Sequence, residues 1–362
     1  MLDRRIANAV RLEFEPGALV HANLSGAACA GDWLWVAGDE ACGVSRLRRL
    51  EPVGREALRY GEETFFPLAD LLDLPGDADD EADLEGMALA DGYLWVVGSH
   101  GAKRKKVDPR RDHVDNARRL ASLALDRNRR LLACLPVEPD ADGRPRLVRE
   151  AKDGRRALRL KGDAKSNPLT EALADDPHIG PFLAIPGKDN GFDIEGLAVD
   201  GHRLLLGLRG PVLRGWSALL EIAVEPHQGS LRLMPLDDSR MRVRKHFLQL
   251  DGLGVRDLHF CADDLYILAG PTMVLDGESR VYKWPAARPA LAANREPVRF
   301  QAAFAKSVPL PHGTGTNRAE AICDLPAELA RGKPAWLVLY DAPGDDRRDG
   351  EHTVYADLLR HE

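Results

Sequence analysis

The chain has no apolar run approaching the roughly 18 residues that a membrane span requires. Its opening stretch, MLDRRIANAVRLEFEPG, lacks the apolar core of a secretory signal, so a cytoplasmic protein with no membrane contact is expected. Cysteine is scarce and odd in number: Cys29, Cys42, Cys134, Cys261 and Cys323 show no CxxC spacing. That pattern excludes a disulfide framework and a cysteine-zinc site, and suits free thiols in a reducing compartment. A basic excess is also missing, because 50 Lys and Arg against 57 Asp and Glu leave a net charge of −7. A general nucleic-acid binder would normally carry the opposite balance. There is no GxSxG elbow, P-loop or HExxH, and the glycines of GLGVRD (252–257) precede no helix, so no nucleotide cofactor is expected.

What the chain does contain is an internal repeat. ADLEGMALADGYLWVVGSHG (82–101) and FDIEGLAVDGHRLLLGLRG (192–210) share one design: an acid-containing alternating run, a Gly/Asp turn, then an apolar run. NLSGAACAGDWLWVAGDEA (23–41) and VRDLHFCADDLYILAGPT (255–272) follow it, and RAEAICDLPAELARGKPAWLVLYDA (318–342) does so with a longer turn. Each copy reads as a β-hairpin. The position of Glu195 is held by Ser25, Glu85, Arg256 and Glu320 in the other copies, at successive intervals of 60, 110, 61 and 64 residues. Multi-strand units of that length indicate propeller blades.

The remaining strands can be assigned in the same way. Third strands are expected in SRLRRLE (45–51), RRLASLALD (118–126), SALLEIAVE (217–225), SRVYKWP (279–285) and HTVYADLL (352–359). Fourth strands are expected in FFPLADLLD, GPFLAIPG, HFLQLDG and KSVPLPHG. The last unit has none, while AVRLEFEPG (9–17) is left over at the amino terminus. Pairing the two closes the ring and removes two exposed sheet edges. The chain is therefore expected to be one all-β propeller domain over 1–362, with five blades favoured over six. The long interval is expected to hold an insertion at about 136–180, with a short helix capped by Ser166 or Asn167 ahead of Pro168. The basic stretch before the helix, PRLVREAKDGRRALRLKG, is either an irregular hairpin or the makings of a sixth blade.

In a propeller the first strand of every blade lines the axis, so Ser25, Glu85, Glu195, Arg256 and Glu320 are expected to converge. Several carboxylates brought together require compensation. A divalent cation, Ca²⁺ by preference, held by Glu85, Glu195 and Glu320 is one solution. A bidentate pair with Arg256 is another. Asp83 and Asp193 read as acids capping their own turns. A second set follows the apolar strand, namely Asp39 and Glu40, Ser99 and His100, Arg209, Thr272 and Asp341. Within it, His100 suits a general base and Arg209, with Arg256, an anion clamp. Trp33, Trp35, Trp95 and Trp336 read as packing between blades.

The phrases DLEGMALADGYLWVVGSHG, DIEGLAVDGHRLLLGLRGP and NRAEAI…WLVLYDAPGDDR together resemble a bacterial family known only as domain of unknown function 3616. The resemblance spans most of the chain and carries no activity with it. The D-x-E-G-[LM]-A phrase is also similar to one in esterase-like phytase and phytase-like propellers. That second likeness implies divalent-metal phosphoester chemistry at Glu85 and Glu195, and at Glu320, where Ala321 replaces the glycine. Two functions stay open at this point. One is a metal-assisted hydrolase of a phosphoester or lactone, acting on a small or anionic ligand at the channel mouth. The other is a non-catalytic scaffold that binds a small ligand or a protein.

Overall fold

The computed structural model describes residues 9–360 apart from 19, 55, 125, 164, 239 and 331, and gives only the backbone for 306 and 307. All five predicted hairpins are present, with first strands Leu24–Ala30, Leu84–Ala90, Asp193–Asp200, Gly254–Cys261 and Arg318–Leu325. Each pairs antiparallel with its apolar partner strand. Their turns use glycine or a left-handed residue where the chain reverses, as at Gly31, Gly92, Gly201 and Ala262, each with positive φ. The five first strands follow one another around an axis, each packed on the next and the fifth against the first. Five apolar clusters fill the spaces between neighbouring sheets. The architecture is all-β and propeller-like.

The amino-terminal strand closes the structure as expected. Ala9–Glu13 pairs antiparallel with Thr353–Arg360 and supplies the missing fourth strand of the last unit. Its other edge pairs parallel with Leu58–Pro67, which fuses the first and last units into one eight-stranded sheet. Val10 and Leu12 are fully buried in the cluster beneath this seam, with Leu34, Leu337 and Ala356.

The long interval departs from expectation in two places. The stretch 118–126 does not supply the third strand: among its described residues only Leu123–Ala124 is strand, paired with Lys103–Arg104 outside the blade. Asp112 caps a helix, His113–Ala121, by accepting from the Asp115 N–H at 2.8 Å, and the third strand is Leu132–Pro139. An acid followed by Arg-rich, weakly apolar sequence favours the capped helix, while the denser apolar run LLACLPV enters the sheet. The segment 180–187 also forms no strand, only 3₁₀ turns at Gly180–Phe182 and Gly187–Asp189. The basic stretch is an irregular hairpin, with Pro145–Leu147 and Leu158–Arg159 both pairing onto Leu132–Pro139. It therefore thickens the second unit and makes no separate sheet. The predicted short helix is Pro168–Leu173, capped by Asn167. In the first unit the fourth strand, Leu58–Pro67, starts earlier than expected.

Trp35, Trp95 and Trp336 pack in the inter-sheet clusters, and Trp33 lies under the Arg46 guanidinium. All five cysteines are free thiols. Among the described residues no helix is long and apolar enough to cross a membrane.

Because the seam between the first and last units rests on so few residues, Leu12→Ala is expected to destabilise the whole domain by about 2–5 kcal/mol, read by urea unfolding. A loss below about 1 kcal/mol would mean that the seam is dispensable.

Candidate functional site

The residue type at the Glu195 position varies, but its backbone setting does not. In every hairpin the ladder slips by one residue at that point, between Leu24 and Gly26, Leu84 and Gly86, Ile194 and Gly196, Val255 and Asp257, and Ala319 and Ala321. Ser25, Glu85, Glu195, Arg256 and Glu320 are thus the extra residues of five β-bulges. A bulge re-aims its side chain out of the sheet's alternation. The glycine that follows serves a different purpose from the hairpin turn. A Cβ on Gly86 would stand 2.8 Å from Leu197 Cβ and 2.9 Å from the Leu197 nitrogen. One on Gly196 would stand 2.9 Å from Leu258 Cγ. These glycines let adjacent first strands approach closely enough for the bulged side chains to meet.

They meet as a chain of ion pairs. Arg209 contacts Asp193 with Nη2 and reaches Glu195 Oε1 with Nη1 at 2.6 Å. Arg256 Nη1 lies 3.0 Å from Glu195 Oε2 and 2.7 and 2.6 Å from the two Glu320 oxygens. Its Nη2 donates to Pro271 O at 2.8 Å. Asp193, Glu195, Arg209, Arg256 and Glu320 are all buried. Burial alone would lower Arg209, but the Asp193 and Glu195 carboxylates hold it above its usual range. Asp193 is therefore an ion-pair member and not a turn cap. Asp83 is likewise paired, with Arg129 Nη2, beside the Ser99 hydroxyl. Arg129 had no signal in the repeat, because it arrives from the irregular segment Arg127–Arg130 and is fixed by donating to Gly101 O at 2.9 Å.

Ser25 donates to Leu84 O and ties the first unit to the second. Asp257 does the same for the fourth and fifth, accepting from Ile322 N and Leu258 N, both at 2.8 Å.

His100 stands apart from this network. Its Nδ1 lies 2.8 Å from Gly98 O and its Nε2 lies 2.9 Å from Asn167 Nδ2, so both ring nitrogens are engaged. Burial pushes it down to about 4, and it is a neutral staple between the second unit and the helix that Asn167 caps. A general-base role requires a ring nitrogen within reach of the reacting proton, and neither is free.

Two acids at the mouth have no ion-pair partner among the described residues. Glu85 keeps some solvent exposure, and burial together with Glu195, Asp83, Asp39 and Asp193 raises it well above the usual carboxylate range. Asp39, at the end of the neighbouring second strand, is pushed up to about 6 by burial, then by Asp83 and Asp341. Asp39 Oδ1 is buried without a hydrogen-bond partner. The site therefore offers an acid whose proton affinity is raised and a carboxyl pushed up to about 6, inside a negative surround.

The phytase likeness implies a divalent cation held by Glu85, Glu195 and Glu320. The donors do not fit that role. Both Glu195 oxygens and both Glu320 oxygens face guanidinium groups. Among the described residues no group of three or more His, Cys, Asp or Glu side chains is disposed to hold a metal ion. The anion clamp meets the same obstacle, since both Nη groups of Arg209 and Nη1 of Arg256 already face protein carboxylates.

The match that decides the family covers residues 23–357. The chain belongs to the family described as protein of unknown function DUF3616. No curated protein matches it in sequence. Among solved structures, this DUF3616 chain is similar to the PQQ-bound aldose sugar dehydrogenase of Streptomyces coelicolor, at 13% identity and TM-score 0.36, covering 98% of this chain and 99% of that one. It is similar to a putative oxidoreductase (glucose dehydrogenase) of Thermus thermophilus, at 14% identity and TM-score 0.35, covering 93% and 96%. A Bombyx mori GH32 β-fructofuranosidase follows at 12% identity and TM-score 0.36, covering 94% of this chain and 62% of that one. Likeness at this level transfers no residue role and no ligand.

The electrostatics give opposite expectations for two substitutions. A carboxyl that is harder to ionise when folded holds its proton more tightly in the native state, so native stability falls as pH rises through the window between its two pKa values. For Asp39 that window runs from 3.8 to about 6. Asp39→Asn should then be more stable than wild type by about 1–3 kcal/mol above pH 6 and nearly equal to it near pH 4, measured by urea unfolding. Glu195→Gln takes one of two carboxylates from each of two buried guanidiniums, which keep Asp193 and Glu320, and should cost about 1.5–3 kcal/mol at neutral pH. Equal, pH-independent losses in both variants would contradict the charge arrangement.

Proposed function

We propose that this protein is a hydrolase of a neutral lactone-type ester, working by carboxyl acid–base catalysis at the mouth of a five-bladed propeller. Five inter-sheet apolar clusters and five bulged hairpins support that blade number. The observation that carries the catalytic reading is Glu85, a partly exposed acid without an ion-pair partner among the described residues and pushed toward its protonated form, while Glu195 and Glu320 are tied to arginine. Pairs of carboxyls whose environments push their proton affinities apart mark acid and base roles. Asp39 takes the proton of a water adding to the carbonyl carbon, and Glu85 gives its proton to the departing ring oxygen, yielding the hydroxy acid. The salt-bridged Asp193–Arg209–Glu195–Arg256–Glu320 chain holds the field that keeps Glu85 protonated. The negative surround disfavours a phosphoester substrate, which leaves the lactone of the two substrate classes.

A scaffold reading is favoured by one specific observation, the nearly complete burial of the ion-pair chain, while Glu85, Asp39, Asp341 and the exposed Glu40 keep access to solvent. The two readings separate in a turnover assay on neutral five- and six-membered lactones, followed by proton release. Wild type should turn over at least one of them, and Glu85→Gln should lower kcat by about 10²–10⁴-fold while keeping the far-ultraviolet circular dichroism of wild type. Absence of turnover across the panel, or a fully active Glu85→Gln, would reject the hydrolase.

A further inference from the structure

The basic stretch that folds onto the second unit opens a cavity of 430 Å³ on the outer flank of the molecule, away from the bulged residues. It lies where three parts of the chain meet: residues 71–73 after the first unit, 149–161 of the irregular hairpin, and the 228–230 turn of the third unit. Its size is within the range of small-molecule sites.

Its charge runs against that of the whole protein. Arg149, Arg156, Arg159 and Lys161 line it, against the carboxylates of Asp73 and Glu150, in a chain whose net charge is −7. Arg149 pairs with Asp73 at 3.1 Å and Arg156 with Glu150 at 2.8 Å, both in exposed positions where such pairs are weak and exchangeable. Arg159 is the deciding residue. It is half-buried and makes no ion pair with a carboxylate among the described residues. Its donors meet neutral carbonyls: Asp73 O at 2.5 Å, Gly162 O at 3.2 Å and Leu160 O at 3.4 Å. Burial lowers its affinity for the proton, and the nearby Asp73 carboxylate offsets this only in part. Lys161 is exposed at the rim of the cavity.

We propose that this flank cavity is a binding site for a small polyanion bearing phosphate groups, with Arg159 as the fixed anchor and Arg156 and Lys161 closing on it. With Nε and Nη1 held by carbonyls, Arg159 keeps Nη2 in a set orientation with both of its N–H groups able to donate to phosphate oxygens. Exposed Arg156 is able to leave Glu150 for a stronger anion at little cost. The site is independent of the acid–base chemistry at the mouth.

The test is calorimetric titration of the full chain with pyrophosphate, and with citrate as a carboxylate of similar charge. Wild type should show saturable, salt-sensitive pyrophosphate binding that citrate does not match. Arg159→Gln should weaken it at least tenfold, and Arg156→Gln and Lys161→Gln about three- to tenfold each. Arg118→Gln, which removes the same charge from the exposed helix His113–Ala121, should leave it unchanged, as should Glu85→Gln. Lys161 is exposed, so its variant remains informative if Arg159→Gln fails to fold. No saturable heat with pyrophosphate, equal weakening in Arg118→Gln, or citrate binding as tightly as pyrophosphate would each overturn the proposal.

Discussion

The structure depends on how an excess of carboxylates is kept together at its axis. Five first strands converge there, and the bulged position of three of them carries glutamate. Asp83 and Asp193 arrive from just upstream, and Asp39 from a neighbouring second strand. Three arginines answer these acids: Arg209 from within a hairpin, Arg256 from a bulge and Arg129 from an irregular segment. Each guanidinium faces at least one carboxylate, and Arg256 bridges two units of the ring. Removing one carboxylate takes compensation from a buried guanidinium, and from two at once where Glu195 is lost. The arrangement is therefore cooperative across the repeats, and the axis behaves as one electrostatic body.

That body can form only because the backbone permits it. The bulge turns the acid out of the ladder, and the glycine beside it lets the next strand approach. Behind the strands the apolar clusters fix the spacing of the sheets, so side chains at the axis have little room to relax. The seam formed by Ala9–Glu13 matters for the same reason, since it holds the first and last units in register and with them the Arg256–Glu320 contact. Ser25 and Asp257 show what a bulge and its neighbour do when they carry no shared charge: they tie adjacent units through backbone groups.

The fold was largely legible in the sequence because its signal is repetitive. Alternation, a Gly/Asp turn and an apolar run recur at near-constant intervals, and the spare amino-terminal strand follows from the count. The failures fell where the repeat is interrupted. The helix His113–Ala121 and the third strand Leu132–Pro139 lie in the long interval, where no second copy was available for comparison. Convergence of Glu85, Glu195, Glu320, Arg209 and Arg256 was readable from equivalent positions. What compensates them was not, since spacing places carboxylates together without saying whether a cation or an arginine will answer. His100 matched Arg209 in position, yet one residue of the insertion, Asn167, took its second nitrogen. Arg129 was out of reach of any repeat argument.

Glu85 is the one acid at the axis that the architecture does not explain. Its bulge exists in all five hairpins, and in the first unit serine fills the same position with no charge at all. A serine, alanine or glutamine at 85 would relieve the repulsion from Glu195, Asp83 and Asp193 and leave the ladder intact. An acid held there is pushed toward its protonated form by burial and by the surrounding carboxylates, at a cost to stability that increases with pH. Structural acids in this protein are treated differently: Glu195 and Glu320 are paired, and Asp257 is satisfied by two backbone N–H groups. A group left strained and partly open to solvent, while its equivalents are paired, is what the proposed proton-transfer role requires.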